Sequence, residues 1–401
     1  MRMRSGPDVP RLPTGDDAST SLSVAGSLEQ IERCRYPTGL YSAVPADSQV
    51  IIDVYRSVWI RDTIYTLLAF EALGDLQRVQ AGVYALLDRV LLRWSYRLDW
   101  RIVEGLPDKE MEYLHPRYNA DGSEVYTELW GLRQDDAIGL AIWALSRWQE
   151  RFDLFRNDYE DFHLVQKLIW YCDRILVPHI PDNGIWEEEG PTKTIHLSSV
   201  AAVAAGLTQA ARIGVKDIPD RLHHDTVLKL QELAGRESED HATDLALLTL
   251  VWPLGEDLPI PRATLRDIVE RVEDELAGTR GVVRYHSDTY NRCHDGPPEW
   301  TMGFGFLALA WIALGERERG LWYLHRLESL VTDTGELPES WCRDPGHQRY
   351  FNSPLCWSHA LHVIAAKSLG HHTADGPTAS RASGRGVAIP MPWVREIPAG
   401  E

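Results

Sequence analysis

The chain has 401 residues, 44% of them hydrophobic and 25% charged, with a formal net charge of -18. That balance provides ample core and excludes the basic footprint that nucleic acid or an anionic membrane surface demands, while suiting a protein that handles neutral or cationic small molecules. Length alone allows roughly two or three ordinary domains or one large toroid or barrel.

Residues 1–20 are rich in Pro, Ser and Asp and read as a disordered tail, basic at its start but without the apolar stretch of a secretory signal. A short helix is expected near SLEQIERC, then strand and loop character up to Trp59. Hydrophobic periodicity predicts further helices over roughly 61–74, 76–94, 135–150, 158–178, 194–213, 219–235, 239–252, 262–277, 299–314, 316–332 and 354–369. Those opening near 61, 135, 194, 240, 299 and 354 are apolar on nearly every side, and those between them are amphipathic. A helix apolar all round is buried all round. Six buried helices alternating with six half-buried ones describe two concentric rings, so the expected fold is all-α, an (α/α)6 double toroid over residues 21–370. The tail 371–401 is linker-like, with an apolar VAIPMPWVREIP segment able to dock back. The longest apolar run, Gly303 to Leu314, falls short of the ~20 residues of a membrane span.

Five cysteines without a CxxC pair argue against a disulfide framework or structural zinc. The fifteen histidines show no HExxH pattern, and no Gly-rich phosphate loop follows a strand, so neither metal nor cofactor is expected. His196, His241 and His359 near buried-helix starts read as hydrogen-bonded helix-end residues. A reduced, cytoplasmic compartment is expected, with a monomer or weak homo-oligomer and no nucleic acid or membrane partner.

The polar and aromatic oddities cluster just before the buried helices: Trp59, Arg61 and Asp62; Trp130 and Gln134; Trp186 to Glu189; Arg284 and Trp300; Glu339 and Trp357. Loops entering the inner ring of a double toroid share one face, so these residues should converge on one funnel. Read alone, the acidic run of GIWEEEG is a solvated turn, and Arg61 with Asp62 is a salt-bridged helix start. A second carboxylate, Glu339 in LPES, changes the weighing. Two carboxylates on Trp-rich loops suit glycosidic bond cleavage, one protonating the leaving oxygen and one activating water.

The pieces VYRSVWIRDTIYTLLAFEALG, LWGLRQDDA, GIWEEEG, LPES and PLCWSHAL, in order and spacing, resemble the family 15 glycoside hydrolases, the inverting glucoamylase-like enzymes. They also resemble the N-terminal domain of the phosphorylase kinase regulatory subunits. The resemblance implies Glu187 as general acid and Glu339 as general base, with Tyr55 near the catalytic water. It implies that Arg61 and Asp62 bind hydroxyls of the non-reducing-end glucose, and that Trp59, Trp130, Trp186, Glu188, Arg284 and Trp357 line sugar subsites. Packing on Trp186 and the charge of Glu188 are expected to raise the Glu187 pKa, while Glu339 needs donors or solvent to stay ionised. The expected substrate is a short α-gluco-oligosaccharide, of isomaltose type. The alternatives are an α-1,4 glucoamylase or a trehalase, a non-catalytic carbohydrate-sensing domain, and a disaccharide phosphorylase, which would need no second carboxylate. The kinase subunits carry WER where this chain has WEE, which favours an active enzyme.

Overall fold

The computed structural model describes residues 22–48, 53–125, 131–156, 159–188, 194–344 and 347–370. Both tails and Trp130 lie outside the described residues. Twelve α-helices run through the described chain: α1 Val24–Arg33, α2 Ile60–Leu73, α3 Leu76–Leu86, α4 Ser95–Glu104, α5 Asp135–Phe152, α6 Glu160–Arg174, α7 Leu197–Arg212, α8 Asp220–Leu233, α9 Arg262–Leu276, α10 Met302–Ala313, α11 Arg317–Glu328 and α12 Cys356–Leu369. Two small antiparallel sheets interrupt them. Strand β1 (Val58–Trp59) pairs with β2 (Arg117–Tyr118), and β3 (Glu299–Trp300), β4 (Ser340–Asp344) and β5 (His347–Phe351) form a three-stranded sheet.

Burial follows the expected alternation. Helices α2, α5, α7, α10 and α12 are buried along most of their length, whereas α8, α9 and α11 bury only one stripe each. Contacts run from α12 to α2, α2 to α5, α5 to α7, α7 to the segment Leu245–Leu250, that segment to α10, and α10 back to α12. Helices α5 and α7 pack closely at Gly139, where an added Cβ would lie 2.4 Å from the Val203 nitrogen. Only a residue without a side chain permits that approach.

Two expected elements are corrected. The stretch expected as a helix over 239–252 winds only as a short 3-10 turn, Leu245–Leu250. Asp244 caps it late, accepting from Ala246 N–H at 2.7 Å, and Pro253 denies it a continuation. Helix α4 was not expected, because Arg97 and Arg101 occupy its buried face and break the apolar period. Arg97 donates inward to the Tyr113 carbonyl at 3.1 Å and pairs with Glu124, which replaces the usual apolar stripe with a satisfied polar one.

The cysteine expectation is corrected as well. Cys293 and Cys342 form a disulfide with Cα atoms 5.2 Å apart, and Cys34, Cys172 and Cys356 are free and buried. The pairing joins residues 49 apart in sequence, with no local spacing to betray it. Among the described residues, no helix is long and apolar enough to cross a membrane.

Candidate active site

The turn before α7 is built by its own polar side chains. Asp182 Oδ2 accepts from Asp135 N–H at 3.1 Å and from the Ser199 hydroxyl at 2.7 Å, pinning the turn between α5 and α7. Asn183 N–H donates to the Arg133 carbonyl, Glu188 N–H donates to the Asn183 carbonyl at 2.7 Å, and Asn183 Nδ2 donates to the Glu188 carbonyl at 2.8 Å. Gly184 has φ +62°, and a Cβ there would meet the His196 ring at 2.7 Å. Closing the turn this way sends Trp186, Glu187 and Glu188 to the same side.

That side is a cavity of about 960 Å³. Its wall includes Tyr55, Trp59, Arg61, Asp62, Trp186, Glu187, Glu188, Arg284, Glu339 and Trp357, so ten side chains scattered over 300 residues of sequence do converge. Gln134 stands behind the wall and accepts from Arg61 Nη1 at 3.2 Å. Trp341, two residues beyond Glu339, is not part of the wall and packs beside Tyr350, with ring centroids 5.1 Å apart, and under Arg280 at 4.6 Å. Alternation along β4 puts Trp341 on the face opposite its neighbours.

Glu187 accepts from Arg61 Nη2 at 2.8 Å, and the same guanidinium donates to Asp136 Oδ2 at 2.7 Å. Arg61 is thus salt-bridged, to Asp136 and Glu187 rather than to its neighbour Asp62. Burial pushes the Glu187 carboxyl up to about 7 against the pull of Arg61 and Arg284, with Asp136 and Asp62 adding to the rise. Glu188 is not the cause expected. Its own pKa is lowered, because burial, which raises it, is outweighed by His241, His196 and Arg284 acting together.

Glu339 sits on the opposite strand system. Its N–H donates to the Phe351 and Asn352 carbonyls, at 3.0 and 3.1 Å. Tyr55 Oη donates to its carboxylate at 2.9 and 3.0 Å, and Asn352 Nδ2 donates to Oε2 at 2.7 Å. With the Tyr55 proton given to Glu339, the 2.6 Å contact between Tyr55 and Tyr290 has Tyr290 as donor. Burial raises the Glu339 pKa to about 7, opposed by Asn352, Tyr55 and Arg284, and Glu187 raises it further. The two carboxyls therefore feel one another across the cavity.

Arg284 stands near both. Asp288 grips its guanidinium through two 2.8 Å bonds, and the cation lies 4.2 Å from the Trp300 ring centre and 5.5 Å from that of Trp186. Asp288, Tyr290, Asn352 and Asp136 were not singled out from the sequence. Asn352 precedes Ser-Pro in FNSPLCW and takes φ +46°, a turn signature that is readable in retrospect.

Among the described residues, one cluster could hold a cation: Glu188, His241 and Asp244 bring one donor atom each within 4.8 Å of one another. The contact with Glu188 raises the His241 pKa, drawing the imidazole toward its protonated form and away from the neutral form that ligates a metal.

Two carboxyls held protonatable at neutral pH, with aromatic rings and a fixed cation around them, are equipped for acid–base cleavage of a neutral polyol substrate. Solved structures of similar fold are sugar-cleaving enzymes. A wild-type glycosidase superimposes with a TM-score of 0.70 at 22% identity, covering 87% of this chain and 96% of that one. The glucoamylase of Saccharomycopsis fibuligera gives 0.61 at 16%, covering 86% and 93%. Residues 20–232 match Glycosyl hydrolases family 15, and the chain belongs to that family. Isomaltose glucohydrolase of Kribbella flavida is 23% identical over 370 residues, 83% of this chain and 88% of that protein. The skeletal muscle alpha regulatory subunit of phosphorylase b kinase from Oryctolagus cuniculus is 24% identical over 327 residues, 69% of this chain. The chain spans about a quarter of the length of that subunit, which matches over 26% of its own sequence.

Proposed function

We propose that the protein is an inverting, exo-acting α-glucoside hydrolase on an (α/α)6 double toroid, releasing β-glucose from the non-reducing end of short α-gluco-oligosaccharides, isomaltose foremost. The carrying observation is that Glu187 and Glu339 open into one cavity with Arg284 beside both. In this reading Glu187 gives its proton to the glycosidic oxygen. Glu339 takes a proton from the water whose oxygen attacks the anomeric carbon from the opposite face. Tyr55 holds Glu339 and faces that water. Arg61 and Asp62 bind hydroxyls of the terminal glucose, with Arg61 exchanging its present partners for the sugar. Trp357 offers an indole N–H that has no acceptor among the described residues. The closed order of helix contacts supports the toroid. The likeness to isomaltose glucohydrolase supports the α-1,6 preference.

A cytoplasmic site is the part of this reading that the Cys293–Cys342 disulfide opposes, since such bonds persist in oxidising compartments. The substrate class does not depend on it. The likeness to the kinase subunits supports a second reading, a sugar-sensing domain without turnover.

The test is a panel of isomaltose, maltose, trehalose, kojibiose and nigerose, with the anomer of released glucose followed by proton NMR. β-Glucose appearing first, fastest from isomaltose, is expected. α-Glucose first would exclude inversion, and sugar binding without hydrolysis would favour the sensor. Glu187→Gln and Glu339→Gln should each lower kcat by roughly 10²–10⁴-fold with the fold intact.

A further inference from the structure

Glu187 has a left-handed backbone, φ +55°. For a non-glycine residue this conformation is strained and persists only where the surroundings over-determine it. The turn hydrogen bonds through Asn183 fix the backbone of Glu188 but leave the side chains on either side of Glu187 to be held by something else.

One distant loop holds both. Trp186 Nε1 donates to Asp244 Oδ1 at 2.8 Å, and Glu188 Oε1 lies 3.3 Å from His241 Nδ1. His241 and Asp244 are themselves 3.8 Å apart, Nδ1 to Oδ2, and His241 stacks on Tyr285 with ring centroids 3.9 Å apart and planes 16° off parallel. The loop is anchored in turn. Asp244 is fully buried and caps the Leu245–Leu250 turn, and Leu245 N–H donates to the Arg284 carbonyl at 2.8 Å. Both neighbours of Glu187 are thus tied to two adjacent side chains that do not themselves line the cavity.

We propose that His241 and Asp244 are positioning residues that clamp Trp186 and Glu188 on either side of Glu187 and so hold its carboxyl where it protonates the leaving oxygen. The proposal rests on the reading of Glu187 as general acid. With one anchor, the strained residue could relax by rotating toward the other; with two, the carboxyl stays at its 2.8 Å contact with Arg61. The groups facing His241 are Glu188, Asp244, His196 and Tyr285, and Glu188 draws it toward the protonated form. The 3.3 Å contact is an ion-pair geometry, and its attraction grows as His241 takes up a proton.

A change of leaving group separates positioning from mere support. Isomaltose expels an alkoxide that must be protonated as it leaves, whereas α-glucosyl fluoride expels fluoride, which departs with little help from an acid. His241→Gln removes the ionisable partner of Glu188. Asp244→Ser keeps a hydroxyl able to cap the 3-10 turn but is too short to reach Trp186. Each should lower kcat on isomaltose by roughly 10–100-fold, part of the 10²–10⁴ that a general acid supplies. Each should lower kcat on the fluoride less than about threefold, and the double variant should lose little more than either single one, as for residues acting as a unit. Equal losses on both substrates, or no loss on either, would overturn the proposal. If Asp244→Ser does not fold, His241→Gln decides alone. Glu187→Gln is the control. If it too loses equally on both substrates, Glu187 is not the acid and the functional reading falls; if it shows the split while His241→Gln does not, only the clamp falls.

Discussion

At the scale of single residues, the two carboxyls of the cavity are raised by the same force and restrained by different ones. Glu187 faces the Arg61 cation, whereas Glu339 accepts from the neutral donors Tyr55 and Asn352. Burial raises both to about 7, against Arg61 and Arg284 at Glu187 and against Asn352, Tyr55 and Arg284 at Glu339. Because Glu187 and Glu339 repel, their protons leave as a pair property, and the proposed mechanism uses the singly protonated form. Tyr55→Phe removes a donor that lowers the Glu339 pKa, so Glu339 should bind its proton more tightly. The acidic limb of kcat/KM should move to higher pH, and an unmoved limb would separate Tyr55 from the base.

The same burial has a cost in stability. The Glu339 pKa is about 7 in the fold against 4.5 for an exposed glutamate, so the folded state holds the proton more strongly. Stability is unaffected below about pH 4.5, falls as pH rises from 4.5 to 7, and carries the full penalty above 7. Glu339→Gln removes the penalty but loses one good acceptor, for a net gain of roughly 1–3 kcal/mol at pH 8 and little at pH 4. Thermal unfolding of both proteins at the two pH values checks this. A variant no more stable at pH 8 than at pH 4, relative to the parent, would contradict the burial argument.

At the scale of elements, the helices serve the site by where they begin. The first turns of α2, α10 and α12 supply Arg61, Asp62, Met302 and Trp357 to the cavity, and the turn before α7 supplies Trp186 and both glutamates after it. Close packing of α5 on α7 sets that turn. Gly139→Ala would drive a methyl group into the Val203 backbone, which cannot move aside as a side chain can. It should destabilise by roughly 1–3 kcal/mol or more, by the usual cost of overpacking, and lower activity through the displaced turn. A melting temperature within a degree or so of the parent would show that the helices can separate freely.

At the scale of the whole molecule, the cavity is the feature that limits substrate size. About 960 Å³ accommodates a few sugar rings, and the wall residues contribute a limited set of aromatic faces and fixed polar groups. Affinity should therefore saturate early, and kcat/KM should peak at di- or trisaccharides across the isomalto- and malto-oligosaccharides of two to seven units. A steady rise with length, or good activity on soluble starch, would point to a longer cleft than the described wall forms.

The sequence by itself determined the helical class, most element positions and ten of the residues that line the cavity, because each rests on local information. Apolar periodicity reports burial, as in the uninterrupted run of α10, and short motifs such as GIWEEEG and LPES carry their residues on turns whose Pro, Asn and Gly are local signals too. Helix α4 escaped because buried arginines with distant partners stand where apolar residues would have announced it. Only the tertiary structure decided the rest: that Cys293 meets Cys342, that Trp341 turns from the cavity, that Asn352 holds Glu339, and that His241 and Asp244 flank the turn of Glu187. Each of these depends on which long-range partner a side chain finds, and such a partner leaves no period or spacing in the chain. The pKa values belong to the same group. Burial sets them, and burial exists only once the helices have closed around the cavity.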